Sequence, residues 1–363
     1  MGVESWVAVA AAVLALLGVG LGLFLWRRHV RLRRSAFVRP SLERVRSRSG
    51  TGLRIALVVN PTKPDLARLR ERVVAACADR GLSEPIWLET TPQDPGTGQA
   101  RQALAVGADL VVAVGGDGTV RAVAEAMAGS YVPMGLIPLG TGNLLARNID
   151  VPLGDPMAAF ATALDGHDKA VDVGRLHVDR WGPDGGDERE HLFLVIAGLG
   201  FDAAMVADTD SHLKARVGWM AYFVSGIRHL HGKRLKVRVA RDGGDPQSAW
   251  VRSMLVGNCG RLPGGINLLP DALLDDGWLD LAVIDTRGGL AGWAQLFGEV
   301  VLQGVGFRNV LPAKIGRIDH ARAQAVHLEV TGSATMQVDG DIVGDVAELT
   351  AWAEPGALLL RTG

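Results

Sequence analysis

The chain has 363 residues, 48% of them hydrophobic, with 38 basic and 39 acidic side chains for a net charge of −1. That length allows two domains with sizeable cores, and the near-neutral balance argues against a nucleic-acid binder driven by bulk charge. The two cysteines, Cys77 and Cys259, match no metal spacing and suit a reducing compartment; Cys77 lies in an apolar run, Val73-Val74-Ala75-Ala76-Cys77, and reads as a core thiol.

The charge is unevenly placed. Residues 1–50 hold nine Arg against two Glu, a local net of +7, which leaves −8 for the remainder. A basic head on a mildly acidic body points to a membrane surface rather than to nucleic acid. Val7–Leu25 is a stretch of 19 residues without a charge, which as a helix spans ~28 Å, about the thickness of a bilayer core. Trp6 and Trp26 bracket it, and Arg27, Arg28, Arg31, Arg33 and Arg34 follow at once. The expectation is a single-pass anchor in the cell membrane over residues 1–26, with the N-terminus outside and the catalytic domains cytoplasmic. Residues 27–52 then form a basic juxtamembrane linker, free to meet anionic headgroups or to remain solvated.

The folded part opens near Leu53. Arg54–Asn60 reads as a buried strand, Leu66–Ala78 as a helix, Pro85–Thr90 as a strand and Gln99–Val106 as a helix. Asp109–Thr119 is an aliphatic strand that stops in a glycine turn, after which Val120, Val123 and Met127 mark one helix face with Ala124 between them. Val132–Leu139 is a further strand, followed by Gly140-Thr141-Gly142-Asn143 and a helix over Leu144–Asn148; another helix covers Met157–Leu164. Alternating strands and helices predict a parallel sheet with right-handed crossovers, whose ligands lie beyond the carboxyl ends of the strands. Asn60 and the turns at 115–119 and 140–143 all fall at such ends. Bare backbone N–H groups at a glycine turn can receive phosphate oxygens. Asp117 there makes sense if Mg²⁺ or its waters lie between carboxylate and phosphate.

After residue 165 the pattern changes. Ala170–Val178, His191–Val195, Arg234–Ala240, Trp250–Gly257, Trp278–Ile284, Val326–Val330, Met336–Val338 and Leu349–Trp352 read as strands, with helices only near Lys214–Leu230 and Leu290–Leu302. The expected architecture is an α/β domain over 53–165, a parallel sheet flanked by helices, and a mostly antiparallel domain over 166–363, a sandwich or open barrel. Trp181–Glu190 reads as a polar surface loop. Two acidic clusters stand out. Pro270–Asp280 is either a hairpin, for which Asp276-Gly277 is a favoured pair, or a Mg²⁺ or Ca²⁺ site made of one carboxylate and loop carbonyls. Val338-Asp339-Gly340-Asp341 is a turn by default, but a phosphoryl-transfer enzyme needs a carboxylate to accept the proton of the attacking hydroxyl. The nine histidines form no ligand set, and no Walker A, HExxH or nucleophile-elbow pattern is present.

Gly115-Gly116-Asp117-Gly118-Thr119 resembles the signature shared by diacylglycerol kinases, sphingosine kinases and NAD kinases. With Asn60-Pro61, Pro138–Asn143 followed by Ala146-Arg147-Asn148, Ala197–Ala203, Asp275-Asp276-Gly277 and Asp339-Gly340-Asp341, the chain is identified as resembling the bacterial diacylglycerol kinase and lipid kinase family over residues 53–361. The resemblance implies a nucleotide cleft between an NAD kinase-like or diacylglycerol kinase-like α/β domain and a β-sandwich domain, with ATP and Mg²⁺ as cofactors. By position, Asn60, Thr90, Thr91, Gly115, Gly116, Asp117, Gly118, Thr119, Gly140, Thr141 and Asn143 would line the ATP site. Asp339 would accept the proton and Asp341 orient it. Asp276, with the carbonyls of Leu273 and Trp278, would match a structural Mg²⁺ site. The implied activity is transfer of the ATP γ-phosphate to a lipid hydroxyl in the membrane, diacylglycerol giving phosphatidic acid. A sphingoid base, NAD or a soluble alcohol are the alternative acceptors, and a tethered nucleotide-binding protein without turnover is the alternative to an enzyme. No nucleic-acid partner is expected, and the oligomeric state is open, a dimer included. Three departures from the family pattern are visible: Thr62-Lys63-Pro64 in place of Ser-Gly, Leu144 in place of an acidic residue, and Asp341 in place of Glu.

Overall fold

A computed structural model describes residues 52–200, 234–261, 268–286 and 316–363. The expected anchor over 1–26, the linker as far as residue 51 and the helices expected near Lys214–Leu230 and Leu290–Leu302 lie outside the described residues. Among the described residues no helix is long and apolar enough to cross a membrane.

Strands β1 (Ile55–Val59), β2 (Ile86–Glu89), β3 (Leu110–Gly115) and β4 (Met134–Pro138) run parallel in the order β4-β3-β1-β2. Every residue of β1, β3 and β4 is buried. A parallel sheet covered on both faces has no polar side to show, so these strands read in the sequence as runs without a polar side chain. Five helices accompany them: Leu66–Ala78, Thr97–Ala105, Asp117–Met127, Leu144–Asn148 and Pro156–Asp165. Leu69, Val73 and Cys77 recur every four residues and are the buried side of the first helix, where Cys77 is a free core thiol. Val120, Val123, Ala124 and Met127 are buried on the third. The fifth starts where its sequence says it should: Asp155 accepts hydrogen bonds from the N–H groups of Met157 and Ala158, and Pro156 occupies the first turn.

Among the described residues ten antiparallel strands follow: β5 (His167–Trp181), β6 (Glu190–Phe193), β7 (Ile196–Leu199), β8 (Leu235–Arg241), β9 (Gln247–Val251), β10 (Ser253–Gly257), β11 (Leu279–Thr286), β12 (Gly316–Ala323), β13 (Ala325–Val338) and β14 (Asp341–Thr362). Side chains from all ten meet in a second core, with Leu176, Phe193, Met254 and Val338 among its most buried members. The expected boundary near 165 is not a clean cut. The end of β14 returns to pair with β4 at Leu360↔Met134, and Leu358 and Leu360 belong to the first core together with Val171 and Val173 of β5. Two long strands therefore stitch both halves into one sheet.

Strand lengths differ from expectation for a local reason. Val326–Val330 and Met336–Val338 are parts of one strand, because the ladder tolerates a register shift between Glu329 and Ala334, around Gly332. Leu349–Trp352 is the middle of a 22-residue strand that absorbs Pro355-Gly356 by a shift between Glu354 and Leu358. Trp250–Gly257 divides at Arg252 into β9 and β10, and β7 and β12 were not expected at all. Breaker residues end strands in sequence patterns but only bend them where both neighbours keep pairing.

Candidate active site

Four loops leave the parallel sheet side by side because their strands are neighbours. The Asn60 N–H donates to Val114 O (3.0 Å), the Leu139 N–H to Gly115 O (2.8 Å) and the Thr90 N–H to Val59 O (2.8 Å). The structure thus brings Asn60, Thr90, the turn 115–119 and the turn 140–143 to one edge. Asn60 closes its own loop, its Oδ1 accepting from the Thr62 N–H (3.0 Å) and hydroxyl (2.8 Å). Thr90 is buried, while exposed Thr91 accepts the Asp94 N–H at 3.1 Å through its hydroxyl. Gly116 caps the helix that begins at Asp117, so the first-turn N–H groups have no intrahelical partner and face the loop edge.

The two glycine turns touch. A Cβ on Gly140 would stand 2.7 Å from the Gly116 Cα and 2.8 Å from Asn143 Oδ1, and one on Gly142 would meet Asp117 Oδ2 at 2.6 Å. Only glycine fits at either place. Asn143, with φ of 48°, holds its turn by accepting from the Gly140 N–H (2.9 Å) and donating to its carbonyl (2.7 Å). Asp117 ties the turns together: its carboxylate accepts the Asn143 N–H at 2.9 Å and the Leu144 N–H at 2.6 Å. Burial raises its pKa against those two donors. The helix after the second turn is a brace. Arg147 donates to Gly142 O (2.7 Å), and Asn148 exchanges hydrogen bonds with the Arg261 backbone (2.9 and 3.0 Å) after β10.

The acidic hairpin reaches this edge from the other half. Asp339 (φ 48°) and Gly340 (φ 95°) form the tight turn between β13 and β14, both left-handed, as a two-residue hairpin requires. The Asp339 carboxylate points inward and accepts three backbone N–H groups, from Leu194 (2.8 Å), Val195 (2.9 Å) and Ile196 (2.9 Å). Burial pushes it up to about 6, with the amide donors and Arg121 opposing. Asp341 points the other way. Its side chain is 60% exposed, and its Oδ2 lies 2.5 Å from Arg121 Nη2 and 3.8 Å from where a Cβ on Gly118 would stand. Glycine turn and acidic hairpin therefore share one crevice, with Arg121 bridging them.

Residues 54–176 match the diacylglycerol kinase catalytic domain, and residues 195–362 match the YegS C-terminal NAD kinase beta sandwich-like domain. A diacylglycerol kinase of Mycobacterium tuberculosis is 31% identical over 253 residues, covering 69% of this chain and 76% of that protein. This chain belongs to the diacylglycerol kinase and YegS-like lipid kinase family. A protein of Pseudomonas fluorescens named "Probable lipid kinase YegS-like" is 31% identical over 261 residues, 71% of this chain and 79% of its own length. A diacylglycerol kinase structure from Bacillus anthracis aligns with a TM-score of 0.64 over 85% of this chain and 97% of that one; at 23% identity it speaks for the fold alone. Membership makes the chain a phosphotransferase with an alcohol group as acceptor, built as an α/β domain plus a β-sandwich.

Two residues of this family member escaped the sequence reading. Arg121 follows Asp117 by four positions, one helical turn, and that spacing was the signal available. Lys63 stood out only as part of a departure, yet its Nζ lies 3.8 Å from a Cβ position on Gly116, over the turn that would receive phosphate. The Asp276 loop is built elsewhere, on β5, β12 and the bend of β14. Its Mg²⁺ reading meets an obstacle. Asp276 Oδ1 accepts the Trp278 N–H (3.1 Å), and Oδ2 accepts the Arg322 guanidinium. With that cation already on the carboxylate, Leu273, Asp276 and Trp278 as arranged here do not fit a metal.

Proposed function

We propose that the protein is an ATP-dependent lipid kinase, transferring the γ-phosphoryl of MgATP to the free hydroxyl of diacylglycerol to give phosphatidic acid. It would work at the cytoplasmic face of the cell membrane, held there by residues 1–26. The observation that carries the reading is Asp341, an exposed carboxylate set against Gly118 at the phosphate-binding turn and paired with Arg121.

In this reading the first-turn N–H groups after Gly116 and the Lys63 ammonium receive the polyphosphate. Asn60, Thr90, Thr91, Thr141 and Asn143 shape the loops around the nucleotide. The acceptor oxygen attacks the γ-phosphorus, the bond from that phosphorus to the β,γ-bridging oxygen breaks, and the hydroxyl proton passes to a carboxylate. Asp341 is better placed for that proton than Asp339, since it is exposed on the crevice side. Asp339 is committed to three amides, so its part is to fix the hairpin that presents Asp341. Arg121 holds Asp341 in place, and can follow the negative charge as it develops on the transferring group. Tethering adds a concentration effect, since an anchored cleft meets its acceptor in two dimensions.

The test is γ-labelled ATP with the full-length protein in mixed micelles, offered diacylglycerol, a sphingoid base, NAD and glycerol in parallel. Label in phosphatidic acid is the expected result. Label in NAD or glycerol alone would move the acceptor to the soluble class. Nucleotide-dependent thermal stabilisation without ATP consumption would leave a tethered nucleotide-binding protein.

A further inference from the structure

The loop that the family would give to a structural Mg²⁺ is held here by other means. Asp172, buried on β5, accepts the Gly277 N–H (2.6 Å) and the Gly356 N–H (2.8 Å), while its own N–H donates to Leu274 O (2.6 Å). Asp275 pairs with Lys169 at 3.1 Å. These contacts fasten one side of the loop to β5 and β14. The other side faces β12 through Arg322. Arg322 donates to Asp276 Oδ2 through Nη2 and approaches Asp280 Oδ1 at 3.4 Å through Nε. Asp280 and Arg322 are direct cross-strand partners of β11 and β12, so the guanidinium reaches the loop from a fixed rung of the ladder. The Asp280 side chain is 8% exposed and its Oδ2 is buried without a hydrogen-bond partner. Asp276 and Asp280 are therefore an anionic cradle closed by the Arg322 guanidinium.

A divalent ion at Asp276 would need the oxygen that Arg322 now contacts, and would sit against a group that is always charged. Like charges at that separation repel strongly in a partly buried site. We propose that Arg322 takes the cation's place, binding the 271–278 loop to β12 as a metal ion would, so that the fold of this family member does not depend on a divalent ion. Its requirement for Mg²⁺ is then confined to the MgATP substrate.

The experiment reads folding and ion binding without nucleotide or acceptor, so its outcome is separate from whether the protein phosphorylates lipid. Full-length protein in detergent micelles is melted in EDTA, in millimolar Mg²⁺ and in millimolar Ca²⁺, and bound Mn²⁺ is counted by electron paramagnetic resonance. The wild type is expected to melt at the same temperature in all three and to bind no Mn²⁺. Arg322→Met is expected to melt several degrees lower in EDTA, to recover with Mg²⁺ or Ca²⁺, and to bind one Mn²⁺. Arg322→Met combined with Asp276→Asn is expected to lose that recovery. A wild type that melts lower in EDTA and regains stability with Mg²⁺ through Asp276 overturns the proposal. So does an Arg322→Met protein, folded or not, that divalent ions fail to rescue.

Discussion

Replacing each acid of the hairpin by its amide separates their roles. In Asp339→Asn, the side-chain oxygen can still accept two amides, but its NH₂ must face the third N–H, donor against donor. Losing one charge-assisted hydrogen bond, weakening two others and leaving a buried donor unpaired costs ~4–6 kcal/mol. Against that stands the cost of burying the charge, which lifts the carboxyl from 3.8 to about 6 even with the amides and Arg121 opposing and which a neutral amide side chain lacks. The balance is a loss of ~1–3 kcal/mol in stability at neutral pH, read by urea denaturation of the nucleotide-free protein. In Asp341→Asn the lost contact is an ion pair whose acid is exposed, so stability should change by about 1 kcal/mol or less, while removal of the proposed proton acceptor should lower kcat by ~10²–10⁴-fold. Initial rates with labelled ATP and diacylglycerol micelles give the second quantity. Asp339→Asn with wild-type stability and no turnover, beside an active Asp341→Asn, would reverse the assignment.

Four further outcomes follow from the same geometry. The Asp339 carboxyl binds a proton more tightly in the folded than in the unfolded chain, so its contribution to stability is complete below about pH 4 and lost as the pH rises through about 6; the deficit of Asp339→Asn, measured by denaturation at pH 4.5 and pH 8, should therefore be larger at the lower pH. Gly140→Ala forces a methyl group into the Gly116 backbone and Asn143, and should cost ~1–3 kcal/mol while raising the dissociation constant for ATP in calorimetry. Arg121→Met should lower kcat at least ~10-fold with a smaller effect on the KM for ATP, since its target is charge developing in transfer; an unchanged kcat would reduce Arg121 to a surface contact. Deleting residues 1–48 should abolish turnover on vesicles and spare it on a short-chain diacylglycerol in solution, and equal loss on both would count against the anchor.

Much of the fold was legible because its elements are locally enforced. β1, β3 and β4 carry no polar side chain, as a parallel sheet covered on both faces favours, and the helix over Leu66–Ala78 shows its buried face at every fourth residue. The order strand, glycine turn, helix over Leu110–Met127 was legible because the aliphatic run, the glycines and the 3.6-residue spacing are each written locally. Strand lengths in the second half were less legible. Gly332 and Pro355-Gly356 look like strand ends, and only the pairing of both neighbours reveals that they are bends.

Which carboxylate does what was beyond the sequence. Asp339 and Asp341 are the same side chain two positions apart, and a type of turn cannot tell them apart chemically. Only the approach of Leu194–Ile196 from one side and Arg121 from the other turns one into a buried fastening and leaves the other open to the crevice. Arg322 is the same lesson: in the sequence it is one arginine among many, and it becomes a cation for the Asp276 loop only when β12 is laid beside β11. Residue types and periodicity are properties of a segment, so the sequence carried them. Charge compensation and burial are properties of neighbours distant along the chain, and the tertiary structure alone chose those neighbours.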